Sequence, residues 1–468
     1  MTNILKKGIL GVGLCFFLAG VASCGPTGGD TTFTYQPYDT AVYGDPSQLD
    51  TTVYFWHTLG QNNRAWLETL IVEFNKLYPN IRIQASQQGS YDDIKLKIDR
   101  AIAAGGTDLP TMAYCYPDHV ADYISASAVI PMDGFVDDPA IGFTTADGSH
   151  VENGETVYGA ADFVQTYWNE GLAYQKEGLY SLPWTKSTEL LFYNKDLFDQ
   201  QGWTIPTTWD DMWNLCRTIN EEWGASVADW YAPLGYDSDE NMYITFSRQN
   251  DIPYTSNDSE SRVLFNNDQA KAMVRTLKGY YDEGLFKTKG TGPNNTYTSS
   301  YFENGQVAMM ISSSGGTSYA NTPNFNVGVA PAPYSGEPAY VSQGPSVCFF
   351  ANASWEQRYA AWLFYRFCTE STNSALIATS STGYDPVRVS SYETEYYRNW
   401  VEDQKDSLFG QASQVTEQIR DDTFFTPVFP GSATCRTEVG GILTNVFLGT
   451  RTVDEAFSQA YSRCIAAL

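Results

Sequence analysis

Histidine is scarce in this chain. The three present, His57, His119 and His150, are scattered. A transition-metal site needs converging ligands, so each reads as a structural or surface residue and no metal site is expected. The eight cysteines contain no Cys-x-x-Cys pair. No P-loop, HExxH or GxSxG motif occurs. The Gly-x-Gly at Gly11 sits in an apolar leader, and Gly290-Thr291-Gly292 lacks the strand before and helix after that a phosphate cradle needs. Asp237-Ser238-Asp239-Glu240-Asn241 begins like a calcium loop. However, Met242 stands at the turn glycine and Arg248 at the bidentate glutamate, so calcium is not expected either. No cofactor is implied. Basic residues are also few: 28 Lys and Arg stand against 54 Asp and Glu, a net charge of -26. Nucleic-acid binding rests on cations that neutralise phosphates, so no nucleic-acid partner is expected. A broadly anionic ligand would need a local basic pocket.

What the chain does have is length and aromatic side chains. With 468 residues it can form two lobes around large cores. Its 32 Tyr and 12 Trp serve mostly as core, and would also suit a cleft that stacks rings on flat ligands. The N-terminus runs from Lys6-Lys7 through apolar Gly8 to Ala22 and into Ser23-Cys24, the layout of a secretory signal. Val21-Ala22-Ser23-Cys24 resembles a bacterial lipobox, which implies cleavage before Cys24 and a lipid on its sulfur. Residues 1–23 are thus expected as a lipoprotein signal peptide, and 24–50, rich in Gly, Thr, Pro and Tyr, as a flexible tether. Six cysteines remain: Cys115, Cys216, Cys348, Cys368, Cys435 and Cys464. Export permits disulfides among them, and their apolar neighbours equally suit buried thiols.

The folded part opens with a β-rich run, Thr51 to His57. A helix with Trp66, Leu67, Leu70, Ile71, Phe74, Leu77 and Tyr78 on one face follows, then alternating Ile81-Arg82-Ile83. Ser90 and Asp93 form a capping-box pattern before a helix that stops at Gly105-Gly106. Leu109 to Tyr114 reads as a third strand. This is a βαβ pattern, hence α/β with mainly parallel sheets and ligands at strand carboxyl ends. Asp133 to Asn169 and Trp223 to Asn267 read as irregular. Leu190 to Tyr193 is a buried strand behind the polar patch Thr185-Lys186-Ser187-Thr188, with Asn194 capping the next helix. Further caps fall at Thr208/Asp211, Ser354/Gln357 and Thr452/Glu455. Val307 to Ile311, Asn326 to Val329 and Val347 to Phe350 read as strands. Ser312 to Gly316 is a small-residue loop that a ligand could approach closely.

Taken together these segments resemble a family-1 extracellular solute-binding protein of an ABC importer, in the branch of glycerol-3-phosphate and multiple-sugar binders. The resemblance rests on Phe55-Trp56-His57-Thr58, Phe74-Asn75 and Pro79, Gly89-Ser90-Tyr91-Asp92, and Ser187-Thr188 with Phe192 to Phe198. It continues through Thr208-Trp209-Asp210, Phe302 with Gly305 to Met309, Ser313-Ser314-Gly315, Gly344-Pro345-Ser346 and Thr382 to Val387, in the family's order. It implies a two-lobed, class II-like fold with the ligand between lobes: 51–185 and 309–343 in lobe 1, 186–308 and 344–468 in lobe 2. Carried over by motif, Tyr91, Ser187, Ser314, Gly344 and Tyr384 fall on ligand positions, with Ser313 beside them and Trp209 on an aromatic one. The family's acidic position falls on Pro117, with Asp118 adjacent. Its late basic position is absent at Thr426-Pro427-Val428-Phe429, with no arginine nearer than Arg436.

These departures favour a neutral sugar or polyol, with glycerol 3-phosphate or a glycerophosphodiester as the alternative. Lys186 alone pulls toward an anion. The expectation is a non-catalytic, monomeric, lipid-anchored protein on the extracytoplasmic face, serving ABC permease subunits. A secreted glycoside hydrolase and a surface adhesin are the competing readings, since paired carboxylates cannot be recognised from sequence.

Overall fold

The structure is a computed structural model that describes residues 33–143, 149–152, 154–227, 229–258, 260–380 and 383–468. The signal peptide, Cys24, the first part of the tether and Thr382 lie outside the described residues. Among the described residues fourteen strands occur in chain order. They are β1 Thr51–His57, β2 Ile81–Gln87, β3 Met112–Cys115, β4 Ser149–Glu152, β5 Glu155–Tyr158, β6 Leu182–Pro183 and β7 Glu189–Asn194, then β8 Ala232–Tyr236, β9 Phe286–Thr288, β10 Val307–Ser313, β11 Val327–Pro331, β12 Tyr340–Val341, β13 Ser346–Phe349 and β14 Thr423–Phe424.

Two five-stranded sheets define the two lobes. The first has the order β2-β1-β3-β13-β6, the second β11-β7-β10-β8-β9. The parallel ladder expected from the βαβ pattern is present across β2, β1 and β3, and again across β10, β8 and β9. Both sheets are nevertheless mixed. β13 runs antiparallel to β3 and β6, and β7 antiparallel to β10 and β11. The mixing arises at the strands flanking the passages between lobes.

The expected lobe boundaries need correction for the same reason. β10 and β11 pair with β7 in the second sheet, so 309–343 does not belong to the first lobe. β13 fills the slot between β3 and β6, and the helix Trp355–Cys368 packs on β1, so this part of 344–468 belongs to the first lobe.

Local signals set many boundaries. Ser90 and Asp93 form a reciprocal capping box on the helix Tyr91–Ala103, as do Ser354 and Gln357, and Thr452 and Glu455, on theirs. Asn194 accepts from the Leu197 amide at 3.0 Å. In the first helix of the opening unit, Gln61–Leu77, Trp66, Leu67, Leu70 and Phe74 are buried while Leu77 is exposed. The segment 223–267, expected to be irregular, contains β8 and the helix Asp239–Gln249. Asp237 and Asp239 are buried there as acceptors: Asp237 for the Thr298 amide and hydroxyl, Asp239 for Thr288, Gly290 and Thr444.

The later part of the expected tether needs correction. From Tyr35 the chain is fastened to the first lobe. Tyr35 donates to Asp138 at 2.8 Å, and the same carboxylate accepts from the Tyr38 amide at 2.8 Å. Tyr35 packs edge-on to Phe135 at 4.6 Å and Tyr38 to Tyr359 at 5.1 Å, and the Tyr359 hydroxyl donates to the Gln36 carbonyl. Tyrosines that a tether would leave in water are instead folded onto aromatic partners. All six remaining cysteines are buried free thiols. Among the described residues no helix is long and apolar enough to cross a membrane.

Candidate functional site

The segment 184–188 carries the chain from β6 in one sheet to β7 in the other, and three other segments converge on it. On one side Ser187 and Gln343 exchange backbone hydrogen bonds of 3.0 and 2.8 Å, while the Trp184 amide donates to Pro345. On the other, the Asp385 amide donates to the Lys186 carbonyl at 2.6 Å. From the second sheet, the Ser314 amide donates to Thr188 at 2.7 Å and its hydroxyl accepts from the Thr188 amide at 3.2 Å. Ser313 donates its hydroxyl to that of Ser187 at 3.2 Å. Ser187, Ser313 and Ser314 are thus brought together at the centre of the crossing.

Glycines permit this convergence. Gly344 has φ +89°, and a Cβ there would lie 2.6 Å from the Thr185 carbonyl oxygen. A Cβ on Gly315 would lie 2.9 Å from the Tyr384 ring, so Tyr384 rests directly on the small-residue loop. Burial and the neighbouring phenol of Tyr319 push the Tyr384 hydroxyl up to about 12. Tyr91 stacks on Tyr116 with centroids 4.2 Å apart and planes 27° off parallel. Burial raises the Tyr91 phenol well above its ordinary range, and its neighbours Tyr384 and Tyr116 add to this. Tyr91 and Tyr116 therefore form one half-buried aromatic wall, with the half-buried Tyr384 phenol close enough to act on both.

Beside that wall lies a pocket of about 100 Å³. Tyr116, Asp118 and Glu170 line it from the first lobe; Tyr254, Gln343, Gly344 and Arg436 close it from the other side. Asp118 lies in the first turn of the helix Pro117–Ser125 and accepts from the His119 amide. Arg436 lies in the helix Ser432–Phe447 and donates to Asn241. Asn241 in turn donates to Glu189 at 3.0 Å, and the Tyr236 hydroxyl donates to the other oxygen of Glu189 at 2.5 Å. Burial pushes the Glu189 carboxyl up to about 8, against the pull of Tyr236 and Arg436. This relay holds Arg436 toward the pocket.

Two expected site residues are not placed to touch a ligand. Lys186 is fully buried; its ammonium donates to Glu170 and, at 3.1 Å, to Ser346. Its charge is consumed in a closed pair behind the pocket, sixteen residues from its partner, so it adds no positive field for an anion. Trp209 sits in the second lobe's core, 4.4 Å from Phe246 and 5.3 Å from Trp213, and its indole donates to Gln249. It lines a separate groove with Trp213, Phe246 and Tyr280. Its burial and its satisfied N–H make it a packing residue. Sequence reasoning missed Glu170, Tyr116, Tyr254 and Arg436. Tyr116 had a signal, as neighbour to Pro117. Arg436 lies several residues beyond the late basic position, but the helix beginning at Ser432 returns it to the cleft. Glu170 had none.

Two α/β lobes, joined by several chain passages and lined between them by aromatic faces and polar groups, define a cleft-type binding protein. The family profile described as bacterial extracellular solute-binding protein matches residues 69–404, and the chain belongs to that family, the substrate-binding proteins of ABC importers. It is thus an exported protein. The chain is 23% identical over 363 residues to the sn-glycerol-3-phosphate-binding periplasmic protein UgpB of Rhizobium meliloti, covering 74% of this chain and 77% of that one. Its fold is similar to UgpB from Mycobacterium tuberculosis in complex with glycerophosphocholine, with a TM-score of 0.70, 19% identity and coverage of 89% and 98%. It is equally similar to the cyclic alpha-maltosyl-1,6-maltose binding protein from Arthrobacter globiformis, with a TM-score of 0.69, 20% identity and coverage of 89% and 99%.

Proposed function

We propose that this chain captures a neutral sugar or polyol between its lobes and presents the closed form to the permease. The observation that carries this reading is the charge balance of the pocket beside the tyrosine wall. Among the described lining residues, the charge of Arg436 is matched by that of Asp118, and Glu170 and Lys186 neutralise one another. A phosphate monoester needs concentrated positive charge, which this arrangement does not offer. Hydroxyl groups suit it well: Asp118 accepts from them, Arg436 donates to them, and a flat sugar face covers the Tyr116 ring. Tyr91, Ser187, Ser313, Ser314, Gly344, Tyr384 and Asp118 remain the proposed ligand residues, joined by Tyr116, Glu170 and Arg436. The ligand would act by favouring the closed arrangement of the lobes.

A second reading is favoured by the charges of Arg436 and Asp118. A glycerophosphodiester with a cationic head group would place its phosphate at Arg436 and its cation near Asp118 and the tyrosine faces. Calorimetric titration against neutral mono- and oligosaccharides, polyols, glycerol 3-phosphate and glycerophosphocholine separates the two. Saturable binding of the phosphate compounds alone would overturn the sugar reading. Arg436→Gln would then abolish binding, whereas it only weakens a neutral ligand. No catalysis is proposed, and steady turnover of a glycosyl donor by the purified protein would contradict that. The lipid anchor on Cys24 and a monomeric state complete the proposal. Cys24→Ser should release the protein from the membrane fraction, and light scattering should return the mass of one chain.

A further inference from the structure

The helices Ser432–Phe447 and Val453–Ala467 close the second lobe as an antiparallel pair. Their register is fixed by two contacts. At one end Gly431 abuts the last turn of the terminal helix, where a Cβ on Gly431 would lie 2.6 Å from the Ala467 carbonyl oxygen. Further along, Arg463 donates to Glu438 at 3.0 Å. Cys435 and Cys464 fall between these contacts, on facing turns, and both are fully buried. We propose that Cys435 and Cys464 close to a disulfide in the exported protein, stapling the terminal helix to the helix that presents Ser432 and Arg436 to the cleft.

The Cys435 sulfur is the largest single influence on the Cys464 thiol, which it pushes well above its ordinary range. The two groups are therefore direct neighbours within the core. The other close pair does not qualify. Cys115 lies opposite Ser346 and Cys348 opposite Ala113 on adjacent antiparallel strands, which makes the two cysteines diagonal neighbours. Diagonal Cα atoms stand about 7–8 Å apart, beyond what an unstrained disulfide spans. Between the two helices, by contrast, the backbones come into direct contact at Gly431 and Ala467, one turn from each cysteine.

The step is a two-electron oxidation. Each thiol loses a proton and the S–S bond forms. The electron pair reduces the disulfide of an extracytoplasmic thiol–disulfide oxidant to its dithiol. The proposal rests on the exported location, where such oxidants keep disulfides formed, and not on the identity of the ligand. Since both sulfurs are buried in the finished fold, the bond would form before the helix pair closes. Cys435 is one residue from Arg436, so the staple would fix the backbone that aims the guanidinium.

The test is peptide mass spectrometry on full-length protein from acid-quenched cells, denatured in the presence of the alkylating agent and digested without reduction. The expected result is a linked peptide pair carrying Cys435 and Cys464 that separates on reduction, with Cys115 and Cys348 alkylated. Finding Cys435 and Cys464 predominantly alkylated would overturn the proposal. Reductant should also lower the melting temperature of the wild type but leave the Cys435→Ser/Cys464→Ser double variant unmoved. An equal response of both proteins to reductant would likewise refute it.

Discussion

Replacing Lys186 by methionine tests the assignment of that residue most directly. Its ammonium and the Glu170 carboxylate are both buried, with 0% and 5% exposure, and the only other acceptor of the ammonium shown is Ser346. Removing one partner of such a pair leaves an uncompensated charge, at a cost of about 3–5 kcal/mol. That is a large fraction of the ~5–15 kcal/mol by which a domain is stable. Replacing both partners, as Glu170→Leu/Lys186→Met, removes the charge together with its desolvation penalty and should return stability to near that of the wild type. Urea denaturation of the four proteins of the cycle measures the coupling. The pH dependence carries a sign. Burial raises the Glu170 carboxyl above its ordinary 4.5 even with Lys186 pulling it down, and Lys186→Met removes that pull. Below pH 4.5 the acid is neutral in both folded and unfolded protein, so the cost of a bare carboxylate disappears there. It develops as the pH rises above 4.5. A Lys186→Met protein with wild-type stability and no ligand binding would refute the buried pair and restore Lys186 to the site.

Three further outcomes are expected. Gly344→Ala forces a Cβ against the Thr185 carbonyl in backbone with φ +89°; the crossing strands must part, at a cost of about 2–3 kcal/mol in chemical denaturation, and a loss below about 0.5 kcal/mol would refute the close approach. Glu189 has a folded value of about 8 against an ordinary 4.5, so its contribution to stability is full below pH 4.5 and is lost as the pH rises through 8. Glu189→Gln should therefore gain on the wild type between pH 5 and pH 9 in urea midpoints, and a constant difference would refute the shift. Asp138 accepts from Tyr35, Tyr38, Ala140 and Ile141. Asp138→Ala should free the segment before β1, seen as new protease cleavage within residues 35–50, with a loss of about 2–4 kcal/mol.

What could be read in advance was whatever is decided over a few residues. The boxes at Ser90, Ser354 and Thr452 join groups three positions apart, so they are visible in the chain itself. The helix Asp239–Gln249 was invisible for the opposite reason. Asn241, Thr245, Ser247 and Gln249 are buried along with Met242, Tyr243 and Ile244, so it shows no polar face from which a period could be read. The helix Ser432–Phe447 starts at Gly431 in the left-handed region without a side-chain cap, which removes the usual start signal. The convergence of Ser187, Ser313, Ser314, Gly344 and Tyr384 was anticipated because each lies on a recognisable motif. Lys186 was misjudged because its partner Glu170 carries no motif. Lobe membership was misjudged at 309–343 because a strand's sequence does not say which sheet will receive it.

The way segment 184–188 is clasped has a mechanical consequence. It is bonded along one edge to residues 343–345 and along the other to Asp385, with Thr188 tied to Ser314. A single strand joining two bodies would let them twist, slide and tumble. A strand clasped on both edges resists twist and shear, and leaves bending about its own line as the soft motion. Lobe closure about such a strand would follow a nearly one-dimensional path. A ligand meets its second wall from a fixed direction, and the entropy of orienting one lobe against the other is removed when the chain folds rather than at each binding event.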